Sequence, residues 1–589
     1  MTAFRKVLVA NRGEIAVRVF RTLRELGIGA VGVYSEADRG SLHVALADEA
    51  YLLGPGAPAE SYLHQERVLD AAQKAGADAI HPGYGFLAEN ASFARAVEAA
   101  GLTWIGPPPE AIEAMGSKVT ARRLMQEAGV PVIPGTSEAV ESVEAVLALG
   151  EEHGWPLAIK ASAGGGGKGL KVVRSSEEAE RALASARREG ESYFADATVY
   201  VERFLEDPRH VEVQVLADAH GAVVHLGERD CTIQRRHQKL VEETPSPAVG
   251  PKLRERIGAI AVEAARAVGY RGAGTIEGLL DRDGNYFFLE MNTRIQVEHT
   301  VTELVTGIDL VREQVLVAAG EPLSFAQADV RFSGHAIECR INAEDPAAGF
   351  LPTPGTITAY REPAGPGVRV DSGVAEGSEV VGLYDPLVAK LVVWDTDRER
   401  ARQRMLRALG EFRIEGVTTL VGFHQALLAH PCFVAGETCF GLVESIAEGV
   451  RAEPAAAPAL GPARVREQAV ALELDGRRFE VTLLRPEPPH AELARRRRDR
   501  TGGGAHHSAA SEAVVSPMQG TVLAVEVGDG DEVREGQVIC VVEAMKMENE
   551  ITAHRPGRVT GLTVAAGEQV TTGQVICVVA RDGELGPDE

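Results

Sequence analysis

Two glutamates lie in a segment that runs from Gly274 to His299 and reads GTIEGLLDRDGNYFFLEMNTRIQVEH. The pattern predicts a strand, a turn at DRDG and a second strand. If the loop has two or four residues, Glu277 lies opposite Phe288, and Glu290 lies diagonal to Glu277 on the same face. Two carboxylates on one face, with Asn292 following, suit a hard cation such as Mg²⁺ whose shell is completed by phosphate oxygens. A three-residue loop would turn Glu290 away, and the alternative of two exposed glutamates fits the apolar neighbours less well.

Arg294, Gln296 and Glu298 alternate in the polar run that follows these strands. In an extended segment, alternate side chains point to the same side. A guanidinium, an amide and a carboxylate that converge suit a small oxyanion substrate together with a base.

A basic cluster lies in ERDCTIQRRHQKLVEETP, Glu228 to Pro245, after a period-two strand at His210 to Asp218. Its five basic residues fall within eleven positions: Arg229, Arg235, Arg236, His237 and Lys239. A solvated charge run is the simpler alternative, but such a cluster in an acidic chain favours anion binding.

A glycine-rich run, Gly164 to Gly167, lies between two apparent strands in LAIKASAGGGGKGLKVV, Leu157 to Val173. A Walker A loop needs Gly-Lys-Ser/Thr before a helix, whereas here Lys168 precedes Gly169 and a strand. A glycine-rich hairpin can instead cover phosphates with its backbone N–H groups, and Lys160 and Lys168 would add positive charge. A plain glycine-rich turn is the alternative.

An internal repeat lies near the end of the chain. Gly520–Val542 and Gly557–Val579 share 12 of 23 aligned positions, and both have the alternation of strands. Two such copies predict a small β sandwich with a pseudo-two-fold axis. Lys546 follows the first copy in VEAMKMENE, between Met545 and Met547, at or near the tip of a hairpin. The duplication, the placement and the two methionines favour a functional lysine over an ordinary exposed one.

The composition limits the classes of function. The 589 residues predict three or more domains, and a formal net charge of −24 argues against nucleic acid as a partner. No run approaches the 18 apolar residues of a membrane span, and MTAFRKVLVANRGE is not a signal peptide. Six cysteines without a CxxC motif predict a reducing, cytoplasmic location, with Cys540 and Cys577 packed rather than paired.

The secondary structure predicted around these residues indicates a multidomain chain with α/β and α+β parts. Lys6–Ala10, Glu14–Leu26 and Ala30–Tyr34 read as strand, helix and strand, which starts a parallel sheet. The turn ANRGE lacks GxGxxG, so a dinucleotide site is not expected. The predicted division is 1–115, 116–325, 334–450, 451–512 and 513–581.

The region 451–512 reads mainly as a linker because it is rich in Ala, Pro, Arg and Gly. Val465–Leu484 could form two strands around an Asp475-Gly476 turn. The basic run Arg495–Arg498 reads as a solvated tether rather than a nucleic-acid site.

Several of these motifs resemble known families. ANRGEIA, HPGYGFLAEN, KASAGGGGKG, ERDCTIQRRHQK, EMNTRIQVEH and GHAIECRINAEDP resemble the biotin carboxylase family of the ATP-grasp fold, over about residues 1 to 450. EAMKM within the repeat, over Val514 to Ala580, resembles the attachment site of biotin carboxyl carrier domains. Lipoyl domains usually carry Asp-Lys-Ala there, so Met545 and Met547 favour biotin. The whole chain resembles the alpha subunit of bacterial acyl-CoA carboxylases of acetyl- or propionyl-CoA type.

The resemblance implies the fold of each part. Residues 1–115 would be a Rossmann-like N-terminal domain, 116–325 the ATP-grasp domain and 334–450 a mixed C-terminal domain. Residues 451–512 would hold a linker with a possible subunit-docking segment, and 513–581 an all-β biotinyl flattened barrel.

The resemblance also implies site residues and cofactors. Biotin protein ligase would attach biotin to Lys546. ATP would be held by Lys118, Lys160, Gly166, Gly167, Glu202, His210, Gln234 and His237. Mg²⁺ or Mn²⁺ would be held by Glu277, Glu290 and Asn292, and bicarbonate by Lys239, Arg294, Gln296 and Val297.

The implied chemistry gives two residues a direct part. Glu298 would deprotonate bicarbonate for attack on the γ-phosphate to give carboxyphosphate, and Arg340 would stabilise the biotin enolate. One departure is Thr300, at a position where the family usually has Pro, which affects the rigidity expected of that loop.

The implied partner is a second polypeptide. After residue 450 only 139 residues remain, too few for a carboxyltransferase beside the barrel. A separate beta subunit would then carry the carboxyl group to acetyl-CoA or propionyl-CoA in a hetero-oligomer, with the 465–484 strands as the docking candidate. The alternatives are a biotinylated scaffold without activity, an ATP-grasp ligase for a different acid, or a methylcrotonyl-CoA or pyruvate type of carboxylase.

Overall fold

The computed structural model describes residues 4–136, 139–161, 170–194, 198–236, 238–449, 465–474, 477–486, 513–544 and 547–580. The predicted features that lie outside the described residues are the glycine run with Gly166 and Gly167, Lys168, His237, the Asp475-Gly476 turn, the basic run Arg495–Arg498, and Met545 with Lys546. The side chain of Lys118 is likewise not described. None of the helices in the described ranges combines the length and apolar character that a bilayer crossing needs.

The N-terminal part is a five-stranded parallel sheet in the order β3-β2-β1-β4-β5. The strands are β1 Lys6–Val9, β2 Gly29–Ser35, β3 Glu49–Gly54, β4 Ala79–His81 and β5 Thr103–Trp104. The helices are α1 Gly13–Glu25, α2 Leu42–Leu46, α3 Gln65–Ala75, α4 Ala91–Ala99 and α5 Pro109–Gly116. β1, α1 and β2 confirm the strand–helix–strand start predicted from the sequence. The apolar residues of β1 and β2 are buried inside the sheet.

A small three-stranded sheet follows, in the order β7-β6-β8. Its strands are β6 Leu157–Ala161, β7 Leu170–Val173 and β8 Val199–Arg203. The neighbouring helices are α6 Lys118–Glu127, α7 Val143–His153 and α8 Ala179–Phe194. The antiparallel pair β6 and β7 flanks the glycine run, in agreement with the predicted glycine-rich hairpin.

The centre of the molecule is one eight-stranded sheet. Its first five strands are β9 Arg209–Ala217, β10 Val223–Arg235, β11 Gln238–Thr244, β12 Gly272–Leu280 and β13 Tyr286–Asn292, with helices α9 Pro251–Ala267, α10 His299–Thr306 and α11 Leu310–Ala318. The sheet is completed by β14 His335–Asn342, β19 Val368–Ser372 and β21 Leu387–Asp395, and short strands in the same region form separate pairs: β15 Glu344–Asp345 with β16 Leu351–Pro352, β17 Gly355–Thr356 with β20 Glu379–Val380, and β18 Ala359–Arg361 with β22 Arg413–Glu415. The order is β13-β12-β9-β10-β11-β14-β21-β19, so the sheet runs without a break from the second predicted part into the third.

Four helices follow this sheet: α12 Arg398–Glu411, α13 Val421–Ala429, α14 Pro431–Ala435 and α15 Leu442–Gly449. Cys432 and Cys439 in this region form a disulfide with Cα atoms 5.7 Å apart, which the cysteine spacing did not predict. A pair seven residues apart has no sequence signature, because its geometry depends on the turn after α14.

Within residues 451–512, β23 Val465–Leu474 and β24 Arg477–Pro486 pair antiparallel, in agreement with the two strands predicted for Val465–Leu484. The C-terminal strands are β25 Ala513–Val515, β26 Gly520–Val525, β27 Glu532–Val533, β28 Val538–Ala544, β29 Met547–Thr552, β30 Gly557–Thr560, β31 Gln569–Val570 and β32 Val575–Ala580.

The C-terminal strands form two four-stranded sheets, β25-β32-β30-β27 and β29-β28-β26-β31. Each sheet takes two strands from one repeat copy and a short strand from the other, which is the predicted pseudo-two-fold sandwich. Cys540 and Cys577 are buried and unpaired, as predicted. The predicted fold class is therefore confirmed.

Candidate active site

Glu277 and Glu290 face each other because of a β-bulge. The loop between β12 and β13 has five residues, 281–285, and Gly278 pairs with Phe288. A regular ladder would then oppose Glu277 to Leu289 and leave Glu290 on the other face. A register shift skips Leu289, and Glu277 pairs directly with Glu290. The predicted pairing of Glu277 with Phe288 is wrong, whereas the shared face is confirmed.

Glu277 is buried and accepts four hydrogen bonds. His210 Nε2 lies 2.7 Å from Oε2, while Oε1 accepts from Lys239 at 2.9 Å, Asn292 at 2.6 Å and Gln296 at 2.9 Å. Burial alone would raise the pKa of Glu277, but the Lys239 ammonium and the His210 hydrogen bond hold that pKa well below its usual range. Glu277 is therefore an anion at neutral pH.

Lys239 on β11 is the common counter-ion of three buried carboxylates. Its Nζ lies 2.5 Å from Glu212, 2.7 Å from Glu298 and 2.9 Å from Glu277. Burial disfavours its charge, yet these carboxylates hold the pKa of Lys239 well above its usual value. The site thus contains a fixed cation surrounded by acids.

Glu212 and Gln214 belong to this cluster but were not predicted as site residues from the sequence. Glu212 is fully buried between Lys239 and Arg229, and Arg229 donates to Glu212 at 2.5 Å and to Gln214 at 2.8 Å. The available signal was the alternation of His210, Glu212 and Gln214 along β9, which places these polar side chains on one face.

The basic cluster divides between this site and its surroundings. Arg229 and Lys239 point into the acidic site. Arg235 lies over the Phe350 ring at 4.4 Å and donates to the Gly349 carbonyl, and Arg236 is exposed. Only part of the predicted anion-binding cluster therefore faces the carboxylates.

Glu298 is fully buried between two cations. Its Oε1 accepts from Lys239 at 2.7 Å and its Oε2 from Arg340 at 2.9 Å. Burial would raise the pKa of Glu298, but Lys239, Arg340 and Arg229 hold that pKa well below its usual range. Arg340 is held from behind by Glu242, whose Oε1 accepts from Arg340 Nε at 2.6 Å.

The segment between β13 and α10 is not a strand, contrary to the extended run expected for residues 294–298. β13 ends at Asn292, the backbone bends, and Glu298 precedes α10 with φ −80° and ψ 10°. Gln296 and Glu298 nevertheless converge on Lys239 and Glu277, because the bends turn both side chains inward.

Arg294 lies at the edge of this group. It donates to Glu89 at 2.9 Å and to Asn292 at 3.0 Å, and its Nη1 lies 3.3 Å from the Gln296 side-chain oxygen. The Val297 carbonyl accepts from Lys390 at 2.9 Å. Glu89 had no sequence signal, because it lies 205 residues from Arg294.

Four of the residues expected to hold ATP, Lys160, Glu202, His210 and Gln234, line the same cleft as the acidic cluster. Lys160 on β6 donates to Glu202 on β8, and Arg122 lies 3.7 Å from Glu202. Gln234 donates to the Cys231 carbonyl at 2.6 Å, and His210 bonds to Glu277. The cleft is lined by these residues with Lys239, Glu290, Arg294, Val297 and Arg340.

Thr300, which stands where the family usually has proline, makes a specific contact. Thr300 lies in the first turn of α10, is fully buried, and its hydroxyl donates to Glu338 Oε2 on β14. A proline could not make this bond.

The C-terminal sandwich contributes to the rim of the cleft. Pro517, Met518 and Ile551 line it, and Leu351 of the central part packs against the sandwich core. Lys546 lies outside the described residues, between β28 and β29, which pair up to Ala544 and Met547.

Four family descriptions match the chain in succession. "Biotin carboxylase, N-terminal domain" matches residues 3–112, and "Carbamoyl-phosphate synthase L chain, ATP binding domain" matches residues 117–326. "Biotin carboxylase C-terminal domain" matches residues 338–445, and "Biotin-requiring enzyme" matches residues 512–579.

Named relatives differ in how much of the chain they cover. The biotin-dependent acyl-coenzyme A carboxylase alpha3 subunit of Mycobacterium leprae is 47% identical, and the match covers 94% of this chain and 94% of its own. A pyruvate carboxylase subunit of Methanothermobacter thermautotrophicus is 54% identical over 76% of this chain and 91% of its own. The biotin carboxylase domain of Hydrogenobacter thermophilus 2-oxoglutarate carboxylase, solved with MgADP, ADP and bicarbonate, has a TM-score of 0.70 and 46% identity, covering 77% of this chain and all of its own.

Proposed function

This chain belongs to the biotin carboxylase family and carries a biotin-type domain at its C-terminal end, and from this premise we propose that it uses ATP and bicarbonate to carboxylate biotin on Lys546. The observation that carries the proposal is Glu298, which is fully buried yet kept ionised between Lys239 and Arg340, two residues that line the cleft. The two cations would attract a small oxyanion to the side of Glu298, where the carboxylate can accept its proton.

The proposed roles follow from the contacts. Lys239, Arg294, Gln296 and the Val297 backbone position bicarbonate beside Glu298, and Glu298 takes its proton. Bicarbonate then attacks the γ-phosphate of ATP to give carboxyphosphate and ADP. Lys160, Glu202, His210 and Gln234 hold ATP, with Lys118, Gly166, Gly167 and His237 as further contacts proposed from sequence alone.

The donor set of Glu277, Glu290 and Asn292 fits a hard divalent cation. All three carry side-chain oxygens that could coordinate such a cation, Glu277 and Glu290 are paired on one face, and the pKa of Glu277 lies below its usual range. Mg²⁺ or Mn²⁺ bound there would neutralise charge on the phosphates of ATP. Within the protein, His210 and Lys239 orient Glu277 toward the cleft.

Biotin, attached to Lys546 by a biotin protein ligase, would supply a nitrogen that accepts the carboxyl group. The proximity of Met518 and Ile551 to the cleft supports delivery from the C-terminal sandwich. We place the carrier at residues 513–581, behind a carboxylase part at 1–450 and a linker at 451–512.

We further propose that the chain is the alpha subunit of an acyl-CoA carboxylase in the cytoplasm. Its partner would be a carboxyltransferase beta subunit that acts on acetyl-CoA or propionyl-CoA, with β23 and β24 as the docking segment. Support comes from the extent of similarity, because the acyl-CoA carboxylase relative covers 94% of the chain, including the carrier.

The second candidate function is that of a subunit of a pyruvate carboxylase. The relative of that type is more identical, at 54%, but its match covers 76% of this chain. Co-purification of the partner, followed by turnover on acetyl-CoA, propionyl-CoA, methylcrotonyl-CoA and pyruvate, decides between the two. Carboxylation of pyruvate alone would replace the acyl-CoA assignment.

The carrier role is tested with Lys546→Ala. We expect this variant to lose carboxylation of the acyl-CoA with the beta subunit present, while carboxylation of free biotin continues, because the two sites lie on separate parts of the chain. Lys74→Ala, at an exposed lysine of α3, is the matched control and should retain both activities. Intact-mass measurement should find one biotinoyl group on the wild type and none on Lys546→Ala. Loss of both activities in Lys546→Ala would contradict the separation.

A further inference from the structure

Two glutamates outside the proposed catalytic set face each other behind Arg340. Glu242 on β11 pairs directly with Glu338 on β14, and both are fully buried. Directly opposed residues on neighbouring strands have Cβ atoms about 5 Å apart, so their carboxyl groups are neighbours. Two buried carboxylates at this separation repel each other strongly if both are ionised.

Each carboxyl group has one occupied oxygen and one without a partner. Glu242 Oε1 accepts from Arg340 Nε at 2.6 Å, and Glu338 Oε2 accepts from the Thr300 hydroxyl. Glu242 Oε2 and Glu338 Oε1 are buried without a hydrogen-bond partner among the described residues. Two carboxylates can only accept, whereas one proton between them satisfies both free oxygens.

We propose that Glu338 keeps a proton on Oε1, donates a hydrogen bond with it to Glu242 Oε2, and through this bond favours the anionic form of Glu242 that positions Arg340. The proposal rests on the proposed function, since Arg340 bonds to Glu298 and is expected to stabilise the biotin enolate. Glu242 and Glu338 are positioning residues, because neither is among the residues that line the cleft.

The surrounding charges favour a proton on Glu338 rather than Glu242. Burial, together with Glu242, raises the pKa of Glu338 well above its usual value, despite the nearby Lys390 and Arg340 and the Thr300 hydroxyl. Burial also raises the pKa of Glu242 to about 7, against the attraction of Arg340 and Lys239 and with Glu298 adding repulsion. Arg340 is bonded to Glu242 and not to Glu338, so the ionised form is favoured at Glu242.

Thr300 decides which oxygen carries the proton. Its hydroxyl occupies Glu338 Oε2, which leaves Oε1 as the oxygen available for Glu242. The chain thus uses the residue at which it departs from the family pattern to orient the carboxyl group behind Arg340.

The position of Arg340 therefore depends on hydrogen bonds to two anions. Arg340 bonds to Glu298 on one side and Glu242 on the other. Protonation of Glu242 at low pH would weaken its hold on Arg340, and loss of the Glu338 proton at high pH would push Glu242 away by repulsion. Both changes should lower kcat for biotin carboxylation and leave the KM for ATP unchanged.

The test compares Glu338→Gln with Glu338→Leu, two variants of similar size. The glutamine amide can donate to Glu242 Oε2 as the proposed proton does, so we expect kcat within about threefold of the wild type and loss of an alkaline limb. Leucine cannot donate, and we expect kcat for free biotin to fall about tenfold, the effect of one lost hydrogen bond. Equal kcat in the two variants, or a faster leucine variant, would overturn the proposal.

Thr300→Ser and Thr300→Val form a second pair. Serine keeps the hydroxyl and should retain the wild-type pH profile, whereas valine keeps the shape and should lower kcat and shift the profile. Identical profiles for serine and valine would count against a role for the hydroxyl. Thermal unfolding of all four variants separates these effects from loss of folding.

An infrared difference spectrum tests the proton without any activity. The wild type should have a protonated-carboxyl band at neutral pH that is absent in Glu338→Gln. If the wild type carboxylates no biotin but the band is present, the proposed function fails while the proton assignment stands. If biotin is carboxylated and the band persists in Glu338→Gln, the proton assignment fails.

Discussion

Glu298 combines full burial with a pKa below its usual range, which makes it ionised but weakly basic among its protein partners alone. An anionic substrate that binds Lys239 or Arg340 would compete for the cations that lower this pKa. In the mechanism proposed above, the basicity of Glu298 would then rise when bicarbonate binds, so the substrate itself would activate the base.

Replacing Glu298 with Gln tests this role. We expect bicarbonate-dependent ATP cleavage in the presence of free biotin to fall by about 10²- to 10⁴-fold, the usual effect of losing a general base. ATP binding should persist, because Lys160 and Glu202 do not contact Glu298 among the described hydrogen bonds. Glu313→Gln, at a buried glutamate of α11 that bonds Ser324, is the control. Unchanged turnover in Glu298→Gln would remove Glu298 from the mechanism.

Lys239→Met should destabilise the fold in a pH-dependent way. The change leaves Glu212, Glu277 and Glu298 without their shared cation, and an uncompensated buried charge costs about 3–5 kcal/mol. Without Lys239 the pKa values of Glu277 and Glu298 rise, so these groups protonate more readily and the loss shrinks as the pH falls. Urea unfolding at pH 8 and pH 5 measures the difference, with exposed Lys74→Met as the control. An equal loss at both pH values would contradict this electrostatic account.

Sequence pattern located the acids of the site but not all of their partners. Glu277 and Glu290 share a face as predicted, yet the reason is the skipped Leu289, which no alternation of residues could have indicated. Glu212 was visible in the alternation of β9, whereas Glu89 reaches Arg294 from 205 residues away. Long-range contacts depend on the packing of domains, which local periodicity does not contain.

At the scale of elements, Gly135 permits a close crossing over β8. It bridges to Glu202, and a Cβ at this position would lie 2.5 Å from the Val201 carbonyl oxygen and 2.6 Å from Glu202 Cα. The position of β8, and with it the contact between Glu202 and Lys160, therefore depends on Gly135 having no side chain.

Gly135→Ala should move β8 and weaken nucleotide binding. Because the neighbouring atoms belong to the backbone, the strand must shift, and we expect a higher KM for ATP together with a lower melting temperature. Gly116→Ala, at the end of α5 with nothing within 4 Å of the added Cβ, is the matched control. An unchanged KM for ATP in Gly135→Ala would show that the position of Glu202 tolerates the shift.

The elements also show where sequence reasoning stops. The repeat predicted the C-terminal sandwich, because identical residues at Gly520 and Gly557 must begin equivalent strands. The bend after Asn292 was not predicted, since alternating polar residues there resemble a strand. The disulfide between Cys432 and Cys439 also depends on a turn that has no pattern of its own.

At the scale of the molecule, three buried histidines predict loss of stability in mild acid. Burial lowers the pKa of His43, His81 and His424 from 6.5 to about 4. The unfolded chain takes up protons at these positions first, so stability is full above about pH 6.5 and falls as the pH drops toward about 4.

His424→Gln should reduce this pH dependence. His424 Nε2 bonds to the Arg340 carbonyl at 2.7 Å, and a glutamine amide can make the same contact without titrating. The slope of unfolding free energy against pH should fall by about one proton, or about 1.4 kcal/mol per pH unit, between pH 6 and pH 5. Equal slopes in His424→Gln and the wild type would show that His424 is not neutral in the native state.

The unbroken central sheet limits how this chain can be divided. A cut between residues 326 and 338, where the matched families meet, would part β11 from β14 and leave two bare strand edges prone to aggregation. Protein engineers who wish to recombine such enzymes should therefore place crossover points after residue 449 and exchange the whole preceding block as a cassette.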